Sequence, residues 1–181
     1  MGRKARYTVL KSQSFCLCAV TLLVVVGCSR PSSQVVELKR FPLDSLDGII
    51  TQSGAELDTE NSSDGKGSLR IVAKTPTVVR LLEVSDVDIE NARLTYQAKL
   101  RSKNLEGQAY LEMWCHFPGR GEFFSRGLQD TVSGTMGWIT AETPFFLKKG
   151  EKPDIIKLNV VVNGKGIIWI DDIRLWKGPL Q

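Results

Sequence analysis

Apolar and polar residues alternate with a period of two over two neighbouring stretches of the chain. In residues 92–102, Ala92, Leu94, Tyr96, Ala98 and Leu100 share one face of an extended strand, and Arg93, Thr95, Gln97, Lys99 and Arg101 share the other. In residues 108–116, Ala109, Leu111, Met113 and Cys115 alternate with Tyr110, Glu112, Trp114 and His116. This period is incompatible with a helical stripe and marks strands with one face in a core. Further short β-rich runs, bounded by turn residues, are predicted at 35–38, 48–52, 55–58, 68–73, 77–84, 122–125, 137–146, 156–162 and 166–176. Residues 103–107 read as a five-residue hairpin loop. Such a hairpin would set Arg93, Thr95, Gln97 and Lys99 beside Tyr110, Glu112, Trp114 and His116 on one outward face. Asn163-Gly164 predicts a type I′ hairpin turn, which needs positive φ at both central positions. No amphipathic helix is evident. Roughly nine to eleven strands in one domain imply an all-β fold, an antiparallel β-sandwich.

The N-terminal residues follow a different pattern. Arg3, Lys4, Arg6 and Lys11 precede an apolar run over 15–27, too short to span a bilayer as a helix. The run ends in Val25-Val26-Gly27-Cys28. A small residue before a cysteine at this place resembles the lipobox of bacterial lipoproteins. The resemblance implies cleavage after residue 27, lipidation of Cys28 with palmitate-type acyl chains, and stable anchoring by more than one chain. Residues 28–34 are then a polar tether, and 35–181 the sandwich domain. By the same resemblance, Ser29 in place of Asp implies the outer membrane, facing the periplasm, if the host has two membranes.

Cleavage changes the charge balance. All four charges in residues 1–27 are basic, so the 24 Lys and Arg fall to 20 and match the 20 Asp and Glu. The basic excess belongs to the signal, and nucleic acid is not an expected partner. Cys115 is the one cysteine left with a free thiol, which rules out an internal disulfide and suits a small core residue.

Two motifs suggest a family. The segment NGKGIIWIDDIRL at 163–175, and DGKGSLRI at 64–71 before it, resemble the terminal hairpin and an early turn and strand of jelly-roll carbohydrate-binding modules of the galactose-binding-like superfamily. The resemblance implies a jelly-roll sandwich and a structural calcium held by Asp171 with backbone carbonyls of 63–66. Calcium takes six to eight oxygens, and no dense carboxylate loop is visible. The alternative is that Asp171 and Asp172 cap a strand end or pair with Arg174.

Candidate chemistry centres on the outward row Tyr110, Glu112, Trp114 and His116, with Arg93 and Gln97 as expected neighbours. Aromatic faces stack on apolar faces of sugar rings, while carboxylates, amides and basic groups bind hydroxyls. The same row would equally serve to pack beneath a covering loop, for which FPGRGEFFSR at 117–126 has the composition. Catalysis finds no support: Cys115 and His116 are neighbours in a strand and point to opposite faces, and no second carboxylate is placed opposite Glu112. Two readings follow, an envelope-anchored glycan-binding domain, and a structural or protein-interaction component of the envelope.

Overall fold

The computed structural model describes residues 1–2, 34–51 and 53–180. The expected signal segment from residue 3 onward, Cys28 and the expected tether up to residue 33 lie outside the described residues. Among the described residues there are eight strands and no helix: β1 (Val36–Phe41), β2 (Ala55–Asp58), β3 (Ser68–Ala73), β4 (Thr77–Ser85), β5 (Ala92–Phe117), β6 (Gly121–Arg126), β7 (Val132–Leu147) and β8 (Ile155–Gly178). Every pairing is antiparallel.

The fold is built on β5 and β8, which pair along almost their whole length. Residues 93–103 lie opposite 167–178, and residues 106–116 lie opposite 155–165. The other edge of β5 is taken by β7 and, near its C-terminal end, by β6. The other edge of β8 takes β4 first, then β3 and β1, with β2 beside β3. A straight strand of 26 residues would run about 85 Å. The pair instead folds over on itself, because inward residues from both halves of β5 meet in one core. Leu94, Tyr96 and Leu100 from the first half join Leu111, Met113 and Cys115 from the second, all essentially inaccessible. The result is a two-layer β-sandwich whose layers share two continuous strands. Each buried Leu or Met contributes about 1.5–3 kcal/mol over an exposed one.

The corner lies at 103–107 and 163–166, where the β5–β8 register shifts between Lys103 and Glu106. A Cβ on Gly107 or Gly164 would run into the opposing backbone. These glycines permit close approach of two chains, and that overturns the expected turn: Asn163 is not at positive φ, so no type I′ hairpin forms. The expected loop at 103–107 is likewise continuous strand. Two expected hairpins are therefore halves of one bent pair.

The correction has a consequence for the candidate site. Alternation holds within each half of β5, but the fold-over puts the two outward rows on opposite outer faces of the sandwich. Arg93 lies opposite Gly178 and Gln97 opposite Arg174, whereas Tyr110 lies opposite Val161 and Trp114 opposite Lys157. Arg93 and Gln97 are not neighbours of the Tyr110–His116 row. In the segment 117–126 the strand expected over 122–125 forms as β6, but the segment is not a covering loop: Phe117 is buried while Phe123 and Phe124 are exposed.

Candidate functional site

The outer face of the layer β4–β8–β5–β6 carries cross-strand rows. Val78, Val161 and Tyr110 form one; Arg80, Asn159, Glu112 and Arg126 the next; Glu83, Lys157, Trp114 and Phe124 a third. The second row and, except for Phe124, the third frame a groove of about 500 Å³ together with Glu122, with Ile50, Val78, Leu82 and Val161 as its apolar lining. Ile50 reaches it because residues 50–51 run along the edge of β4. Ile50 N–H donates to the Leu81 carbonyl at 3.1 Å, and Thr51 N–H to that of Arg80 at 2.9 Å.

Glu112 organises the groove floor. It is 3% exposed, and a buried carboxylate is tolerable only when it is paired and hydrogen-bonded. Its Oε1 accepts from Trp114 Nε1 at 2.7 Å and from Asn159 Nδ2 at 3.3 Å, and its Oε2 accepts from Arg126 Nε at 2.7 Å. The bond from Arg126 to Glu112 holds that guanidinium above its ordinary pKa. The guanidinium also lies 4.6 Å from the Phe124 ring centroid, and Phe124 tilts against Trp114 at 5.0 Å. The Trp114 indole N–H is spent on Glu112, so what Trp114 offers a ligand is ring surface.

The rest of the predicted row divides. Tyr110 is 8% exposed, and Trp114 is half-buried at the groove. His116 stands outside the groove lining, with Nδ1 2.5 Å from Asp154 Oδ1. The hydrogen bond with His116 holds the Asp154 carboxyl below its usual range. Beside His116 in register, Glu122 accepts from Lys157 Nζ, and chiefly this bond keeps its carboxyl below the ordinary value. Cys115 faces the core, where burial pushes its thiol up to about 12. It shares no face with His116, and the two form no dyad.

The chain matches no protein-family model and no curated protein sequence. Solved structures do match its fold. A xylan-binding domain of family 22 from Paenibacillus barcinonensis superimposes with a TM-score of 0.59 at 13% identity, over 83% of this chain and 100% of that one. The family 22 and GH10 modules of a Clostridium thermocellum endo-1,4-beta-D-xylanase, complexed with xylohexaose, give 0.58 at 10% identity, over 78% of this chain and 28% of that one. A family 16 carbohydrate-binding module gives 0.52 at 10% identity, over 72% and 91%. The fold is that of the jelly-roll carbohydrate-binding modules. Identity this low establishes the fold alone.

On the other layer of this sandwich, Asp171 is fully buried against the early loop. Its Oδ2 accepts from Ser63 N–H and its Oδ1 from Asp172 N–H, both at 2.7 Å. What the residues supply towards calcium is therefore one carboxylate already engaged by two backbone donors. Among the described residues no three His, Cys, Asp or Glu side chains gather as metal ligands. Asp172 binds Arg40 and Arg174, so its pairing with Arg174 was legible from the sequence.

Sequence reasoning missed Arg80, Asn159, Lys157, Arg126 and Phe124. The alternation of Lys157, Asn159 and Val161 was visible, but nothing local told which strand they would lie beside. Arg126 and Phe124 fell in the segment with the composition of a covering loop, and the strand expected over 122–125 had no partner assigned to it.

Proposed function

We propose that this protein is a lipid-anchored, non-catalytic module of the cell envelope that binds carbohydrate in the groove of the β4–β8–β5–β6 face. The observation that carries the reading is Trp114, its orientation fixed by Glu112, set beside Phe124 in a groove with hydrogen-bonding groups on either side. Ring surface for a pyranose face, with Asn159, Lys157 and Glu122 for its hydroxyls, is the arrangement a sugar site needs. Because the structural neighbours include xylan-binding domains, xylohexaose is the first probe. Calorimetric titration should show saturable binding that Trp114→Ala abolishes; binding that survives the substitution would remove this groove from the account. The anchor rests on the lipobox-like sequence, and Cys28→Ser should move the protein from the membrane fraction to the soluble one.

A second reading, protein interaction, is favoured by β6. It is an outermost strand of the sheet, and Phe123 and Phe124 are 44% and 51% exposed on it. Stable self-association without binding to any soluble oligosaccharide would support it.

A further inference from the structure

Charges along the groove are matched unevenly. In the row Arg80–Asn159–Glu112–Arg126, the single carboxylate is already taken by Arg126, Trp114 and Asn159. Arg80 stands at the far end of that row with an exposed side chain. Among the described residues its guanidinium makes no hydrogen bond or ion pair, although its charge acts through space on the Glu122 carboxylate. Its backbone is nonetheless fixed: its N–H donates to Thr51 Oγ1 at 3.1 Å, and its carbonyl accepts from Thr51 N–H at 2.9 Å.

The neighbouring row has the opposite bias. Lys157 is bound to Glu122, while Glu83, opposite Lys157 on β4, brings a second carboxylate. Arg80 and Trp114 lie one row apart along the strands, about 7 Å, and two strands apart across them, about 10 Å, a span for an oligosaccharide rather than a single sugar. The three cations and three carboxylates of the groove balance in number, but Arg80 and Glu83 are the two that make no direct ion pair; Arg80 acts on Glu122 only through space, while Glu122 is hydrogen-bonded by Lys157. A polysaccharide of neutral units uses the hydroxyl-binding row but leaves the Arg80 fork unmatched. That fork fits a planar carboxylate in two parallel hydrogen bonds.

We propose that the groove selects an acidic carbohydrate, a glycan carrying a uronate whose carboxylate lies on Arg80 while a neutral unit further along the same chain covers Trp114. This rests on the carbohydrate-binding reading above. The test is calorimetric titration of the full-length chain, in detergent, with xylohexaose and with a xylo-oligosaccharide of the same length bearing one glucuronate. The acidic oligosaccharide should bind about tenfold tighter, as one charge-assisted contact predicts. The preference should shrink as salt is raised and vanish in Arg80→Gln. Because the Arg80 side chain is exposed, that variant should melt with the wild type. Equal affinity for the two probes, or a preference that survives Arg80→Gln, would overturn the assignment and leave the carbohydrate reading standing. Binding of neither probe to the wild type would overturn both.

Discussion

Glu112 offers the sharpest test of how the groove is held together. In Glu112→Ala, Trp114 Nε1 and Asn159 Nδ2 lose an acceptor at a site that is 3% exposed. An unsatisfied buried donor costs about 1–3 kcal/mol. Arg126, whose side chain is 43% exposed, can turn to water and adds little. The expected loss is about 3–5 kcal/mol, a large share of a typical domain stability of about 5–15 kcal/mol. Glu112→Gln is the informative contrast. With its carbonyl oxygen in the Oε1 position it still accepts from Trp114 and Asn159, and only the partner of Arg126 is lost, for about 1–2 kcal/mol.

Urea unfolding at fixed pH measures both, with an unchanged m-value as the sign that the folded and unfolded states are comparable. Oligosaccharide titration should follow the same order. Glu112→Gln keeps affinity within a few-fold because Trp114 stays in place, while Glu112→Ala loses binding. If Gln costs as much as Ala, the ion pair with Arg126 rather than the hydrogen-bonded hub fixes the floor. A loss under about 1 kcal/mol for Ala would refute the hub altogether.

Three further outcomes are expected. The Tyr96 hydroxyl is buried with no hydrogen-bond partner among the described residues, so Tyr96→Phe should leave stability unchanged or raise it by about 1 kcal/mol in urea unfolding; a clear loss would contradict this. At Asp58, desolvation raises the carboxyl pKa, but hydrogen bonds led by those from Trp169 and Asn61 outweigh it and bring it to about 2 from the ordinary 3.8. A depressed folded-state value gives stability that is fully present above about pH 4 and lost as pH falls towards 2, on the order of 1 kcal/mol after solvent screening. Asp58→Asn should flatten that limb of the pH–stability curve, and an unchanged limb would reject the assignment. Asp171→Asn should cost about 1–3 kcal/mol, because an amide cannot accept from both Ser63 and Asp172. Melting the wild type in calcium and in chelator should give the same temperature if Asp171 acts as a backbone brace, whereas a calcium-dependent rise would assign it an ion.

The parts of this structure legible in the sequence are those set by nearest neighbours along one strand. Alternation assigned Leu94, Tyr96 and Leu100, and Leu111, Met113 and Cys115, to the core, and the structure buries all six. It also set Tyr110, Glu112, Trp114 and His116 on one outward face, as observed. Alternation reports a side relative to the strand's own axis and is silent on which outer face of the sandwich that side becomes. The difference was made at the corner. Asn163-Gly164 has the letters of a hairpin turn, but Gly164 serves there to let β8 pass close to Gly107 of β5. A glycine needed for positive φ and one needed for close approach look the same in a sequence. Arg93 and Gln97 were misplaced for that reason alone. The groove was hidden for a related one: Glu112 meets Arg126 across 14 residues and Asn159 across 47, so its partners emerge only once β6 and β8 are known to flank β5. A carboxylate that looked free to bind a ligand is the internal anchor of the site. Arg80, the guanidinium in the groove that makes no hydrogen bond or ion pair among the described residues, was singled out by no local pattern.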